Sequence, residues 1–268
     1  MSEAPADEPF FIVGCPRSGT TLLAVLVDRH SRLCVPPETA FFDEVAPDLP
    51  VSSDGLLRIL SGWPRLAELG LRAEDVATSL SGNEASPQAV LGAILKLYAH
   101  KRGKRRCGEK TPQHLWRAGQ IGDAFPRSCV IALLRDGREN ALSLNRMPWW
   151  DDGLVGAADL WRRAVGAIEL LERSLGDRFL LVRYERLVRE PAGELARVMA
   201  LLGETFEPSQ LDPATPSGVV MSRSLEWKGK ALRAVDPRAA GCQTRAALPA
   251  DLSLLESLLG EDLRRMSY

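Results

Sequence analysis

No excess of positive charge runs through the 268 residues: 34 Lys and Arg stand against 35 Asp and Glu, a net charge of −1. That balance removes the global attraction that nucleic acid or an acidic membrane would exert, so any anion site must be assembled from local basic residues. Cysteine is sparse as well. The five thiols (Cys15, Cys34, Cys107, Cys129, Cys242) are an odd number, widely spaced, and form no C-x-x-C pair. This argues against a zinc motif and for reduced thiols in a cytosolic setting. The opening stretch "MSEAPADEP" has neither the basic region nor the apolar region of a signal peptide. No apolar run approaches the ~18 residues of a membrane-spanning helix. Internal repeats and low-complexity tracts are missing too. These absences leave a cytoplasmic protein with no nucleic-acid partner, no membrane span and no metal site. No motif sets an oligomeric state.

What is present is the composition of an ordinary globular enzyme, 45% hydrophobic and 26% charged. The length suffices for one large α/β domain or two small ones, and we expect a single domain over 1–268 with residues 1–8 disordered. Three continuous apolar runs, Phe10–Val13, Cys129–Leu134 and Phe179–Tyr184, have the character of strands buried on both faces of a parallel sheet. Weaker strand candidates are "RLCV" (Arg32–Val35) and "RRCG" (Arg105–Gly108). Helical patterns lie between them, over Thr20–His30, Pro87–Lys101 and Ala157–Leu175. Ser86 is placed to cap the second of these, with Pro87 at its first position. The stripe Trp161, Ala164, Val165, Ile168, Leu171, Leu175 on the third is core packing. The alternation predicts a P-loop-type three-layer α/β/α fold around a central, mostly parallel sheet. Segments 43–61 and 207–247 lack clear periodicity and are expected to be lids or substrate loops.

The stretch "PFFIVGCPRSGTTLL" has the strand–loop–helix layout of the phosphate-cradling G-x-x-x-x-G-K-[ST] loop, but Thr20 stands where the lysine belongs. Without it, backbone N–H groups, the helix N-terminus and the side chains of Arg17, Ser18, Thr20 and Thr21 around Gly19 suit a compact 5′-anion. An ordinary strand–turn–helix junction is the competing explanation. Ligands of such sheets sit beyond the carboxyl ends of the strands, where Arg17, Arg135 and Tyr184 fall.

"PRSGTTLL" resembles the 5′-phosphosulfate loop of sulfotransferases that use 3′-phosphoadenosine-5′-phosphosulfate (PAPS), in particular the bacterial relatives of the tyrosylprotein sulfotransferases. The similarity continues in order along the chain. "PPETAFF" places Glu38 twenty-one residues after Arg17, where the family has its general base. "GEKTPQHL" places Lys110 in a Lys-x-Pro element that neutralises charge on the transferring group. His114, four residues on, is expected to be a neutral helix-face histidine. "LLRDGRENALSLNR" looks like the 3′-phosphate element, with Arg135 and, eight residues later, Ser143 as its ligands. Arg138 and Arg146 either assist or are solvated. "VRYERLVREP" brings Tyr184 against the nucleotide, and "SRSLEWKGKAL" resembles the late loop whose Ser224 and Lys230 contact phosphate, with Lys228 an alternative for Lys230. The spacing of that serine and lysine is shorter than in the tyrosylprotein enzymes. "MPWWDDG" has no counterpart; Trp149 and Trp150 either stack on an acceptor or anchor a lid.

The resemblance implies an enzyme that moves a sulfuryl group from PAPS to a hydroxyl or amine, releasing 3′,5′-adenosine bisphosphate. Its catalytic set would be Glu38, Lys110 and Arg17, and no metal would be needed. The acceptor could be a small molecule, sugar, lipid or peptide. The rivals are a P-loop kinase or NTPase, opposed by the missing lysine and the want of a Walker B carboxylate, and a nucleotide-binding protein without catalysis, opposed by Glu38 and Lys110 together.

Overall fold

A computed structural model describes residues 8–80, 85–219 and 229–268. Its centre is a sheet of β1 (Phe10–Gly14), β2 (Leu33–Cys34), β3 (Arg106–Lys110), β4 (Cys129–Leu134) and β5 (Phe179–Arg183). All pairings are parallel, in the order β2-β3-β1-β4-β5. Both weak strand candidates are therefore real strands, though β2 has only two residues. The last expected strand stops one residue early, at Arg183, and Tyr184 opens a helix instead.

Continuous apolar strands follow from burial on two sides. Along β1, Phe11 and Val13 enter one core, while Phe10 and Ile12 enter the other. The first core is covered by the helices Pro87–Lys101, Gly153–Leu175 and Pro249–Arg265, which contribute Leu91, Ile94, Trp161, Val165 and Leu259. The second is covered by α1 (Thr20–Asp28) and by the helix Pro191–Leu202, through Leu23, Val27, Leu195 and Val198. This is the expected three-layer α/β/α arrangement. Ser86 caps its helix as the sequence suggests, accepting from the Ala89 N–H at 3.2 Å.

The segment 43–61 departs from its expected irregularity. It follows α2 (Phe41–Glu44), runs through a 3-10 turn at Ala46–Asp48, and ends in α3 (Ser53–Ser61). Leu56 and Leu60, four residues apart on α3, are buried in the first core, and the hydrophobic effect holds the helix there. The late region is irregular as expected, with only 3-10 turns and the short helix Cys242–Arg245 among its described residues. Glu8, expected to be disordered, is held by Arg106 and Arg127. All five cysteines are free. Among the described residues no helix is long and apolar enough to cross a membrane.

The chain runs to one side of β1 for β2 and β3, then to the other for β4 and β5. That reversal opens a crevice beyond the carboxyl ends of the strands. The register puts Ile12 level with Lys110 and with Ile131, and Leu134 level with Arg183. The residues that end these strands therefore reach the crevice together.

Candidate active site

The loop between β1 and α1 bends back on itself, with the Ser18 N–H donating to the Cys15 carbonyl at 3.1 Å. Arg17 adopts a left-handed backbone, φ +71°, and Gly19 another, φ +102°. A non-glycine residue in that region stores strain and marks a functional turn. Asn140 clamps the loop from the helix Gly137–Asn145: its amide donates to the Pro16 carbonyl at 3.1 Å and accepts from the Cys15 thiol at 3.3 Å. One helical turn on, Ser143 accepts from Arg17 Nε at 3.4 Å. Ser18 Oγ is fully buried and has no hydrogen-bond partner among the described residues. A hydroxyl left unpaired in a dry loop at a helix N-terminus fits an anionic ligand.

The second basic element grows from β4. The Trp161 indole, buried in the core, donates to the Arg135 carbonyl at 2.8 Å and so fixes the strand end. The Arg135 guanidinium lies 4.6 Å from the centre of the Tyr184 ring, donates to Glu139 at 2.6 Å and leaves Nε unpaired among the described residues. Burial, and then the positive charge of Arg135, push the Arg17 guanidinium below its ordinary value. Two neighbouring guanidiniums in a partly dry site repel each other until a polyanion comes between them.

Glu38 stands beyond β2 and Lys110 ends β3. Lys110 is 1% exposed, and its Nζ donates to Glu38 Oε1 at 2.6 Å. Arg65 holds the Glu38 carbonyl from the other side at 3.1 Å and forms a bidentate pair with Glu44. His114 is not the helix-face residue expected. It sits in a 3-10 turn, fully buried, with Nδ1 2.8 Å from Glu109 Oε2. Burial of the polar ring demands that partner.

A cleft of about 780 Å³ gathers most of these residues. Arg17, Gly19, Thr20, Thr21, Glu38, Arg135, Ser143, Tyr184 and Lys230 all line it. Ser18 lies beneath the loop, and Lys110 stands behind Glu38. Ser224 and Lys228 fall outside the described residues. Trp149 lines the cleft and is 48% exposed, whereas the Trp150 indole donates to the Gly153 carbonyl and packs on the core. Arg138 turns away to Asp136 and Glu256, while Arg146 holds Gln243 on the cleft wall. Sequence reasoning passed over Arg65, Glu109, Glu139 and Asn140. Glu139 and Asn140 had a signal, since one lies four residues after Arg135 and the other three before Ser143 on one helix. Among the described residues no group of three or more His, Cys, Asp or Glu could hold a metal ion.

Residues 9–208 match the sequence model described as "Sulfotransferase family". Nodulation protein NoeE of Sinorhizobium fredii is 27% identical over 279 residues, covering 94% of this chain and 64% of that protein. Protein-tyrosine sulfotransferase of Drosophila melanogaster is 25% identical over 224 residues, 80% of this chain and 42% of its own. The chain thus spans less than two thirds of either relative. Among solved structures, the sulfotransferase domain from the curacin biosynthetic pathway superposes with TM-score 0.64 at 22% identity, over 97% of this chain and 99% of that one. Mouse sulfotransferase SULT7A1, solved with PAP, gives 0.51 at 14% identity, over 98% and 85%. A lysine-free strand–loop–helix, a β2-β3-β1-β4-β5 sheet and a family match over most of the sequence converge: this chain belongs to the sulfotransferase family.

Proposed function

We propose that the enzyme transfers the sulfuryl group of PAPS to an acceptor hydroxyl or amine by in-line displacement. The loop Arg17–Thr21 binds the 5′-phosphosulfate through its N–H groups and the Ser18, Thr20 and Thr21 hydroxyls. Arg135 and Ser143 bind the 3′-phosphate, with Tyr184 packed beneath Arg135, and Lys230 closes the phosphate side of the cleft. The two unpaired buried atoms at this site, Ser18 Oγ and Arg135 Nε, are the donors such a ligand would satisfy. The SULT7A1 structure was solved with PAP, the bisphosphate that PAPS leaves behind, which supports the same donor here.

Glu38 takes the proton of the acceptor as its oxygen or nitrogen bonds to sulfur. The bond from sulfur to the bridging phosphate oxygen breaks, and the electron pair leaves on the 5′-phosphate. Lys110 and Arg17 offset the charge that grows there. Most of the rate enhancement then comes from positioning and electrostatics, as in phosphoryl transfer. The observation that carries this reading is Glu38 on the wall of the cleft that also holds the loop Arg17–Thr21 and Arg135, with Lys110 behind it at 2.6 Å.

Single-turnover transfer from labelled PAPS to a panel of acceptors tests it. Glu38→Gln should lose roughly 10²–10⁴ in rate, the usual worth of a general base, with adenosine bisphosphate affinity unchanged. Near-normal transfer by that variant would remove Glu38 from the role.

A further inference from the structure

Directly behind the Glu38–Lys110 pair lies a second carboxylate, Glu109, with no access to solvent. Its Oε1 accepts from the Thr39 hydroxyl at 2.8 Å and the Thr111 hydroxyl at 2.6 Å, and its Oε2 faces His114 Nδ1 at 2.8 Å. Each of those three partners is buried and accepts, in turn, from one backbone N–H of the chain that follows Glu38. Ala40 donates to Thr111 at 3.0 Å, Phe41 to Thr39 at 3.2 Å, and Phe42 to His114 Nε2 at 3.3 Å. Since Nε2 accepts, the ring proton resides on Nδ1 and is donated to Glu109.

Three successive N–H groups of the turn after the base thus converge, through three side chains, on one carboxylate. They hold a conformation the chain would otherwise avoid: Ala40 is left-handed, φ +50°, which disfavours any residue with a Cβ. Burial opposes charge on Glu109, yet the His114 ring and the Thr111 and Thr39 hydroxyls hold its carboxyl below the ordinary glutamate range. The network reaches both members of the pair, because Thr39 follows Glu38 in the loop beyond β2 while Glu109 and Thr111 flank Lys110 at the end of β3.

We propose that Glu109 is a positioning residue for sulfuryl transfer, fixing Glu38 against Lys110 by holding the turn Thr39–Phe42 through Thr39, Thr111 and His114. The proposal rests on Glu38 being the base.

Because Glu109→Gln removes a buried charge and is prone to misfold, the main test uses Thr111→Val, which keeps shape and removes one relay. In the wild-type background kcat should fall roughly 10- to 100-fold, the scale of a misplacement near 1 Å. The KM for PAPS and the affinity for adenosine bisphosphate should stay within about twofold, because the nucleotide loop is held by Asn140 and Ser143 instead. Thr111→Ser, which keeps the hydroxyl, should restore most of the turnover. In a Glu38→Gln background the same Thr111→Val change should cost less than about twofold, since the group it positions is gone. An unchanged kcat, or an equal loss in both backgrounds, overturns the positioning role while leaving Glu38 as base. Normal turnover of Glu38→Gln alone overturns the base and this inference with it.

Discussion

Gly19 is where the loop after β1 meets the Tyr184–Arg135 pair. Its backbone is left-handed, φ +102°, and a Cβ placed there would lie 2.4 Å from Cδ2 of Tyr184. The same ring carries the Arg135 guanidinium on its face. Gly19→Ala therefore has two effects. It strains the turn by about 1–2 kcal/mol, and it displaces the platform under Arg135. We expect adenosine bisphosphate to bind about tenfold or more weakly to Gly19→Ala, with a lower melting temperature, by calorimetry and thermal denaturation. Affinity equal to wild type would mean that Tyr184 can move without disturbing Arg135. Single residues here were legible in the sequence according to their chemistry. Arg17, Arg135 and Tyr184 stand out because they follow continuous apolar strands, whereas Lys110 is found only through the resemblance of "GEKTPQHL". Glu109 does not stand out. It sits inside "GEKTP", a stretch that reads as polar, and its complete burial becomes sensible only when Thr39 and His114 arrive from elsewhere in the chain.

Among the elements, the long ones announced themselves and the short ones did not. The helix Pro87–Lys101 has both bounds readable, because proline and a capping serine start it and fifteen residues of pattern sustain it. The strand β2 has two residues, too few for periodicity, and it exists because β3 pairs with it. In 43–61 the prolines at 47 and 50 and the run Ser52, Ser53 obscure α3, whose fully buried core contacts are Leu56 and Leu60. The late region is held by side chains instead of by a ladder. Arg29, at the end of α1 and 3% exposed, donates to the Thr215 carbonyl at 3.0 Å and the Leu232 carbonyl at 2.8 Å. Glu139 accepts from the Thr244 N–H at 2.6 Å and the Gln243 N–H at 3.2 Å while paired with Arg135. Arg29→Met keeps the stem and removes the donors, so those carbonyls lose a charged partner. A loss of about 1.5–3 kcal/mol is expected, with faster proteolysis within 213–245 and a weaker grip on nucleotide through Lys230. Unaltered cleavage there would show that the remaining contacts, those of Glu139, Arg146 and Asp28, secure the region without Arg29.

Across the whole molecule, the order β2-β3-β1-β4-β5 places one anion element after the central strand and the other after its neighbour β4. The proposed function predicts that a ligand with negative charge at both 5′ and 3′ positions spans them, whereas AMP reaches only the first. Ligand that binds only the folded state adds about 2.7 kcal/mol at a hundredfold excess over Kd. For a chain of this size that raises the melting temperature by roughly 5–10 °C. At the same concentration AMP should give less than about half of that rise, because charge-assisted hydrogen bonds to the 3′-phosphate are worth about 1.5–3 kcal/mol. Arg135→Ala should shrink the difference between the two nucleotides, with Ser143 holding what remains of it, and should lower the AMP shift less, through the lost bond to the Arg17 carbonyl. Added EDTA should change neither shift. If AMP and adenosine bisphosphate stabilise the wild-type enzyme equally, Arg135 and Ser143 do not form a 3′-phosphate site. The guanidinium beside Tyr184 then serves its pair with Glu139 and its bond to the Arg17 carbonyl.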